Sequence, residues 1–169
     1  MNTPRDLAAL RQMTAELSEY LLSEVVLWPL GGSADYPKLS LGSYWLTRRR
    51  LSVSAEPALP ALIAEGEAVL ARWAATAERK AAAELPMRVN LWTAYLGERR
   101  GRYATEVTQR VIISVLWERY PALAETPAAR QVVEVEAALR AQPAGAFVWE
   151  AALAPAFPEP EFWMLRRSR

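Results

Sequence analysis

The feature that most constrains the fold is a pair of Thr-Pro steps, each followed by apolar residues at helical spacing. Thr3-Pro4 and Thr126-Pro127 have the residue types typical of a helix N-cap and first turn. They predict helices over about residues 4–27 and from Pro127 up to Pro143, because apolar residues three, four or seven apart share one helix face. The predicted stripes are Leu7, Leu10, Leu17, Leu21 and Val25 in the first helix, and Ala128, Val132, Val135 and Leu139 in the last.

Four further helices are predicted between these two. Ser40 is a candidate cap for a helix over about 41–54, and an alanine-rich segment predicts one over about 59–84. Pro86 suits the first turn of a helix ending near Gly97, and apolar residues stepping by four predict a central helix over about 103–120. A strand is the alternative for 41–54, and also for the β-branched stretch 111–117.

Residues 28–40 read as a loop, and residues 143–169 as an arm rich in proline and aromatic residues. The arm forms either short helices or two strands, and it either packs on the core or swaps onto a second subunit. A length of 169 residues fits one domain, and no repeat or interdomain linker is visible. We therefore expect an all-α fold, a single bundle of five to six helices in one domain over 1–169, with this C-terminal arm.

The chain contains no histidine and no cysteine. This excludes His-based triads, thiolate nucleophiles, disulfides, and zinc or iron–sulfur sites with those ligands. Glycine-rich phosphate motifs are absent as well. We expect no metal and no cofactor, we name no catalytic residue, and the composition favours a non-enzymatic role.

The net charge of +1 gives no global attraction for nucleic acid or an anionic membrane. No apolar run approaches the roughly 20 residues that a membrane-spanning helix needs, and no signal peptide is recognisable. We expect a cytoplasmic protein without a membrane partner. The scarcity of asparagine, with only Asn2 and Asn90, suggests a heat-adapted source.

Two carboxylate pairs and three arginine clusters are the polar features nearest to a site. Glu16 with Glu19, and Glu134 with Glu136, lie beside the apolar stripes, so we expect solvated faces. The arginine clusters are interpreted as solvated or ion-paired, and nucleic-acid binding ranks third among the functions because the net charge is small. The clusters are Arg48-Arg49-Arg50, then Arg99, Arg100 and Arg102, then Arg166, Arg167 and Arg169.

Seven tryptophans are the other unusual feature. Trp73 and Trp92 fall on predicted core stripes. The leading functional hypothesis is self-association or another protein–protein interaction, most simply a homodimer through the arm residues Phe147, Trp149, Phe157, Phe162 and Trp163. The alternative is a small-molecule domain that binds an acidic or aromatic ligand between helices, through Trp28, Tyr36, Tyr44, Trp45, Arg48 and Arg72.

Overall fold

The computed structural model describes residues 3–31, 36–98 and 100–167. Over this part of the chain the all-α prediction is confirmed: no strand forms, and Trp28 and Leu39 make an isolated antiparallel bridge. The α-helices are α1 (Thr3–Leu22), α2 (Leu41–Leu51), α3 (Leu59–Arg72), α4 (Ala74–Glu98), α5 (Tyr103–Arg119), α6 (Pro127–Val135) and α7 (Ala137–Arg140). Short 3-10 helices occupy Pro121–Glu125, Ala151–Ala156 and Trp163–Arg166.

The chain divides into two compact units, Met1–Glu84 and Leu85–Arg169. The boundary falls inside α4, and each unit has its own buried apolar residues. The seven α-helices of the described residues exceed the five to six expected. The assignment of 1–169 to one domain stays a prediction.

Helix α1 begins where the Thr-Pro step predicts, but it ends at Leu22 and not near residue 27. The reason is that two groups of Ser23 donate to one backbone carbonyl in the last turn of α1. Both the backbone N–H and the hydroxyl of Ser23 donate to the carbonyl oxygen of Tyr20, at 3.1 and 2.7 Å, which closes the last turn. Val25 is therefore outside the helix and 45% exposed, so its placement on the core stripe was wrong.

Helix α2 confirms the prediction made from Ser40, and the strand alternative for this segment was wrong. The Ser40 hydroxyl accepts from the Ser43 backbone N–H at 3.1 Å, and the Ser43 hydroxyl accepts from the Ser40 N–H at 2.8 Å, which is a capping box. Buried Glu84 accepts from the Gly42 N–H at 2.9 Å and from the Ser40 hydroxyl at 2.6 Å. A carboxylate at this end of α2 is stabilised by the helix dipole.

The predicted boundaries in the alanine-rich region were wrong in two places. The segment 59–84 is not one helix, because Trp73 leaves the helical region (φ −117°, ψ 33°) and separates α3 from α4. Pro86 does not open a helix but lies inside α4. A proline removes only one backbone donor, and the rest of α4 continues past it. Trp92 is buried as predicted, whereas Trp73 is only half-buried.

In the second unit α5 is a helix, so the strand alternative for 111–117 was wrong. The β-branched run of Val111, Ile112 and Ile113 is buried along it. The segment expected to form one helix up to Pro143 is divided into α6 and α7 at Glu136. The buried positions are Ala129, Val132, Glu136 and Leu139, while Val135 is 40% exposed.

The C-terminal arm packs on its own unit as short 3-10 helices, so a pair of strands was the wrong alternative. The Tyr103 hydroxyl donates to the carbonyl oxygen of Met164 at 2.8 Å, and the Trp149 indole donates to that of Ala104 at 2.7 Å. The Val148 backbone N–H also donates to the Leu165 carbonyl, at 2.9 Å. The first two of these bonds join the arm to the start of α5, and the third joins two parts of the arm. None of the helices described has the length and apolarity to cross a membrane.

Candidate functional site

A groove lies within the first unit, between the segment around the end of α1 and the N-terminal part of α4. Its volume is about 320 Å³, which is within the range of small-molecule sites. The apolar part of its wall consists of Leu21, Leu22, Val26 and Ala83. The polar part consists of Ser23, Glu24, Thr76, Arg79 and Lys80.

The two walls come together because of where α1 ends. Thr76, Arg79 or Lys80, and Ala83 are three or four residues apart, so they share one face of α4. Since α1 stops at Leu22, the next residues turn across this face instead of continuing the helix. The backbone carbonyl of Val25 thereby reaches the side chain of Lys80.

Lys80 is the buried charge of the groove, with 8% of the residue exposed. Its ammonium donates to the Val25 carbonyl oxygen at 2.6 Å and to the Ser23 hydroxyl at 3.2 Å. It also lies 4.7 Å from the centroid of the Tyr20 ring. All three partners are neutral, and among the described residues no carboxylate lies within 4.0 Å of this nitrogen. Burial lowers the pKa of Lys80 below its ordinary 10.5, and the negative charge of Glu24 opposes the shift.

Arg79 is the second cation of the groove and is exposed. Its Nη2 donates to the Thr76 hydroxyl at 3.1 Å, which uses one of the five donors of a guanidinium. With Lys80 and Arg79 positive and Glu24 negative, the lining carries a net charge of +1 (two cations minus one carboxylate). The groove therefore offers an anion two sets of donors beside an apolar wall.

Three of the residues predicted to bind a ligand come together on α2. The Arg48 guanidinium lies over the rings of Tyr44 and Trp45, 5.6 and 4.5 Å from their centroids. It also forms an ion pair with Glu67 at 2.8 Å. Tyr44 is fully buried, and burial raises its pKa above 10.0 although the Arg48 charge opposes this. The charge of Arg48 is thus neutralised within the chain.

The other three predicted ligand residues make different contacts. The Trp28 indole donates to Glu16 Oε2 at 2.6 Å, the Arg72 guanidinium lies 5.5 Å from the Trp73 ring centroid, and Tyr36 is half-buried. None of the six residues predicted to bind a ligand lines the groove. Their role in binding stays a prediction.

The residues predicted to form an interface lie in the second unit. Phe147, Trp149, Phe157 and Phe162 form a ladder of near-perpendicular rings, with successive centroids 6.4, 5.2 and 5.2 Å apart. Phe157, Phe162 and Trp163 are at most 6% exposed, and Phe147 and Trp149 are half-buried. Packing within the chain therefore accounts for the buried rings, and an interface between subunits stays a prediction.

The expectation of solvated carboxylates was wrong for Glu136 and for Glu16. Glu136 is fully buried, and its Oε1 accepts from Arg110 and from the Trp92 indole, the latter at 2.8 Å. Glu16 is half-buried and accepts from Gln12, from Trp28 and from the backbone N–H of Gly31. Burial raises the pKa of Glu16, but these hydrogen bonds outweigh it and hold the pKa below the ordinary 4.5. Glu134 and Glu19 are exposed, as expected.

The expected pairing of arginines is confirmed where Arg50 meets Asp6 at 3.0 Å. Arg99 and Arg169 of the predicted clusters lie outside the described residues.

In the part of the chain that the structure describes, no three acidic side chains come together in a way that suits a metal ion. Comparison with protein-family models, with curated proteins and with solved structures finds no match for this chain.

Proposed function

We propose that this protein binds a small organic acid in the groove, with the acid group held by Lys80 and Arg79. The observation that carries the proposal is the buried Lys80 ammonium, which lines the groove and has only neutral partners. A buried charge without a counter-ion in contact with it is unfavourable, and an anion beside it offsets part of that cost. An acid group in the groove supplies this counter-ion.

The rest of the lining favours an acid of one negative charge with a short aliphatic body. The net charge of +1 matches a single carboxylate, and the negative charge of Glu24 disfavours polyanions. Leu21, Leu22 and Val26 provide the apolar contact for carbon chains. A volume near 320 Å³ is at the small end of ligand pockets, which run from about 300 to 1,000 Å³.

The test is calorimetric titration and thermal shift with hexanoate, using hexanamide as the neutral probe of the same length. Hexanoate should bind and raise the melting temperature, because a ligand at 100 times its dissociation constant stabilises by about 2.7 kcal/mol. Lys80→Met should abolish the binding. Lys38→Met is the matched control, because Lys38 is the only other lysine and is exposed. Equal shifts with hexanoate and hexanamide, or full affinity in Lys80→Met, would refute the proposal.

Self-association remains a separate proposal. Truncation of the arm is not a suitable test, because Phe157 and Leu165 belong to the buried core and their loss would unfold the second unit. Light scattering on the intact chain at micromolar concentration is the direct measurement. A dimer mass would support association, and a monomer mass would exclude it at that concentration.

A further inference from the structure

A second cationic feature lies in the other unit, around Trp163. The guanidiniums of Arg140 and Arg167 lie over the Trp163 ring, 4.6 and 5.5 Å from its centroid, and that of Arg166 lies 5.3 Å from the Phe147 centroid. These contacts join the end of α7, the segment after it and the last 3-10 helix. We call Arg140, Arg166, Arg167 and Trp163 the arginine cluster.

The charges of this cluster have little compensation among the described residues. In that part of the chain the nearest carboxylate that any of them meets is Glu159, whose Oε1 is 3.9 Å from Arg166 Nε and so beyond hydrogen-bonding distance. Arg167 donates to a neutral group, the carbonyl oxygen of Arg166, at 3.1 Å. Three positive charges therefore share one distant and half-exposed counter-ion.

Several donors in the cluster also lack acceptors. Arg166 Nη1, Arg167 Nε and the indole nitrogen of Trp163 have no hydrogen-bond partner among the described residues, and Trp163 is only 6% exposed. Leaving a buried donor unsatisfied is unfavourable, and more so for a charged group. An arriving carboxylate supplies the missing acceptors, which favours rotation of the two guanidiniums toward it.

We propose that the arginine cluster binds an acidic peptide segment of a partner protein. Three guanidiniums from two chain segments, the end of α7 and the residues at the end of the last 3-10 helix, fit several carboxylates spaced along a peptide, each held in the bidentate geometry that arginine favours. Nucleic acid is a poorer fit for two reasons. The Trp163 ring is buried, with only 6% of the residue exposed for base stacking, and the net charge of the whole chain is only +1.

The test is fluorescence anisotropy with fluorescein-labelled hexaglutamate, and with hexaglutamine as the neutral peptide. Hexaglutamate should bind, and added salt should weaken the binding. Arg140→Gln and Arg167→Gln should each weaken it by about tenfold or more, since a charge-assisted hydrogen bond contributes about 1.5–3 kcal/mol. Arg130→Gln is the control, because this substitution removes an equal charge at an exposed position on α6 of the same unit.

Three results would overturn the proposal. One is equal binding of hexaglutamine, and another is equal weakening by Arg130→Gln, which would indicate bulk charge. The third is tighter binding of a single-stranded oligonucleotide of the same charge, which would assign the cluster to nucleic acid. Circular dichroism checks that each variant is folded. Arg140→Lys adds a further readout, because it keeps the charge but loses the bidentate geometry and should restore binding only in part.

Discussion

Replacing Gly66 by alanine should destabilise the first unit, although alanine is the better helix former. Gly66 lies in α3, directly against the ring of Tyr44 on α2. A Cβ at this position would lie 1.8 Å from the Tyr44 hydroxyl oxygen and 3.0 Å from the ring carbon that carries it. Real Cβ atoms do not approach other atoms this closely, so α3 or the Tyr44 ring must move.

The expected change in the free energy of unfolding of Gly66→Ala is the sum of two opposing contributions. Overpacking a buried site costs about 1–3 kcal/mol, and a contact of 1.8 Å belongs to the upper part of that range. Replacing a helical glycine by alanine returns about 0.8–1 kcal/mol. The free energy of unfolding should fall by about 2 kcal/mol, which corresponds to a fall in melting temperature of about 4–8 °C for a chain of this size. Urea denaturation followed by circular dichroism measures the change in the free energy of unfolding, and calorimetry measures the change in melting temperature.

Two variants make the reasoning refutable. Gly97→Ala is the matched control, because its Cβ would meet no atom of the described residues within 4 Å, so this variant should be as stable as the wild type or up to about 1 kcal/mol more stable. Tyr44→Phe removes the clashing oxygen and should recover part of the loss in the Gly66→Ala background. The reasoning fails if Gly66→Ala alone is not destabilised, or if Tyr44→Phe restores nothing.

Three further variants or conditions test the buried charges. Glu136→Gln should cost about 3–5 kcal/mol in urea denaturation because it leaves Arg110 buried without its counter-ion, whereas exposed Glu134→Gln should change stability by less than about 0.5 kcal/mol. Glu16→Gln should destabilise the chain at pH 7, and its difference from wild type should vanish as the pH falls through the lowered pKa of Glu16, below 4.5. Hexanoate affinity should fall at alkaline pH, beginning below 10.5, because Lys80 loses its proton at a lowered pKa.

Each of these has a result that would contradict it. A Glu136→Gln variant as stable as Glu134→Gln would mean that the Arg110 charge is satisfied without its partner. A pH-independent difference between Glu16→Gln and wild type would show that hydrogen-bond geometry, and not ionisation, is responsible. Hexanoate affinity that stays constant up to pH 10.5 would separate binding from the charge of Lys80.

Local signals in the sequence predicted the capped helix starts well, and the uncapped starts and the helix ends poorly. The caps at Ser40 and Thr126 fix helix starts through bonds within a few residues, so they are readable without a fold. The break at Trp73 has no glycine or proline to mark it. The end of α1 is at Ser23, whose hydroxyl and backbone N–H both donate to the Tyr20 carbonyl. Serine also occurs inside helices, so its position in the sequence alone does not mark an end.

The candidate site was less predictable because its contacts are distant in sequence. Tyr44, Trp45 and Arg48 could be grouped from their helical spacing, and they do lie together. The role of Lys80 could not be predicted in this way, because it depends on a hydrogen bond to the carbonyl of Val25, 55 residues away. Glu136 had a readable signal that was missed. It lies four residues after Val132 and three before Leu139, on the buried stripe, whereas the predicted stripe ran through Val135 and left Glu136 beside it.

The joining of the arm to the start of α5 has a consequence for the order of synthesis. Tyr103 and Met164 are 61 residues apart, so α5 leaves the ribosome long before the residues that cover it. During that interval Val111, Ile112 and Ile113 are exposed in a nascent chain, as an uncharged β-branched run of the kind that promotes intermolecular strand pairing. Translation speed over residues 120–165 therefore sets how long the second unit is open to aggregation or to chaperone capture.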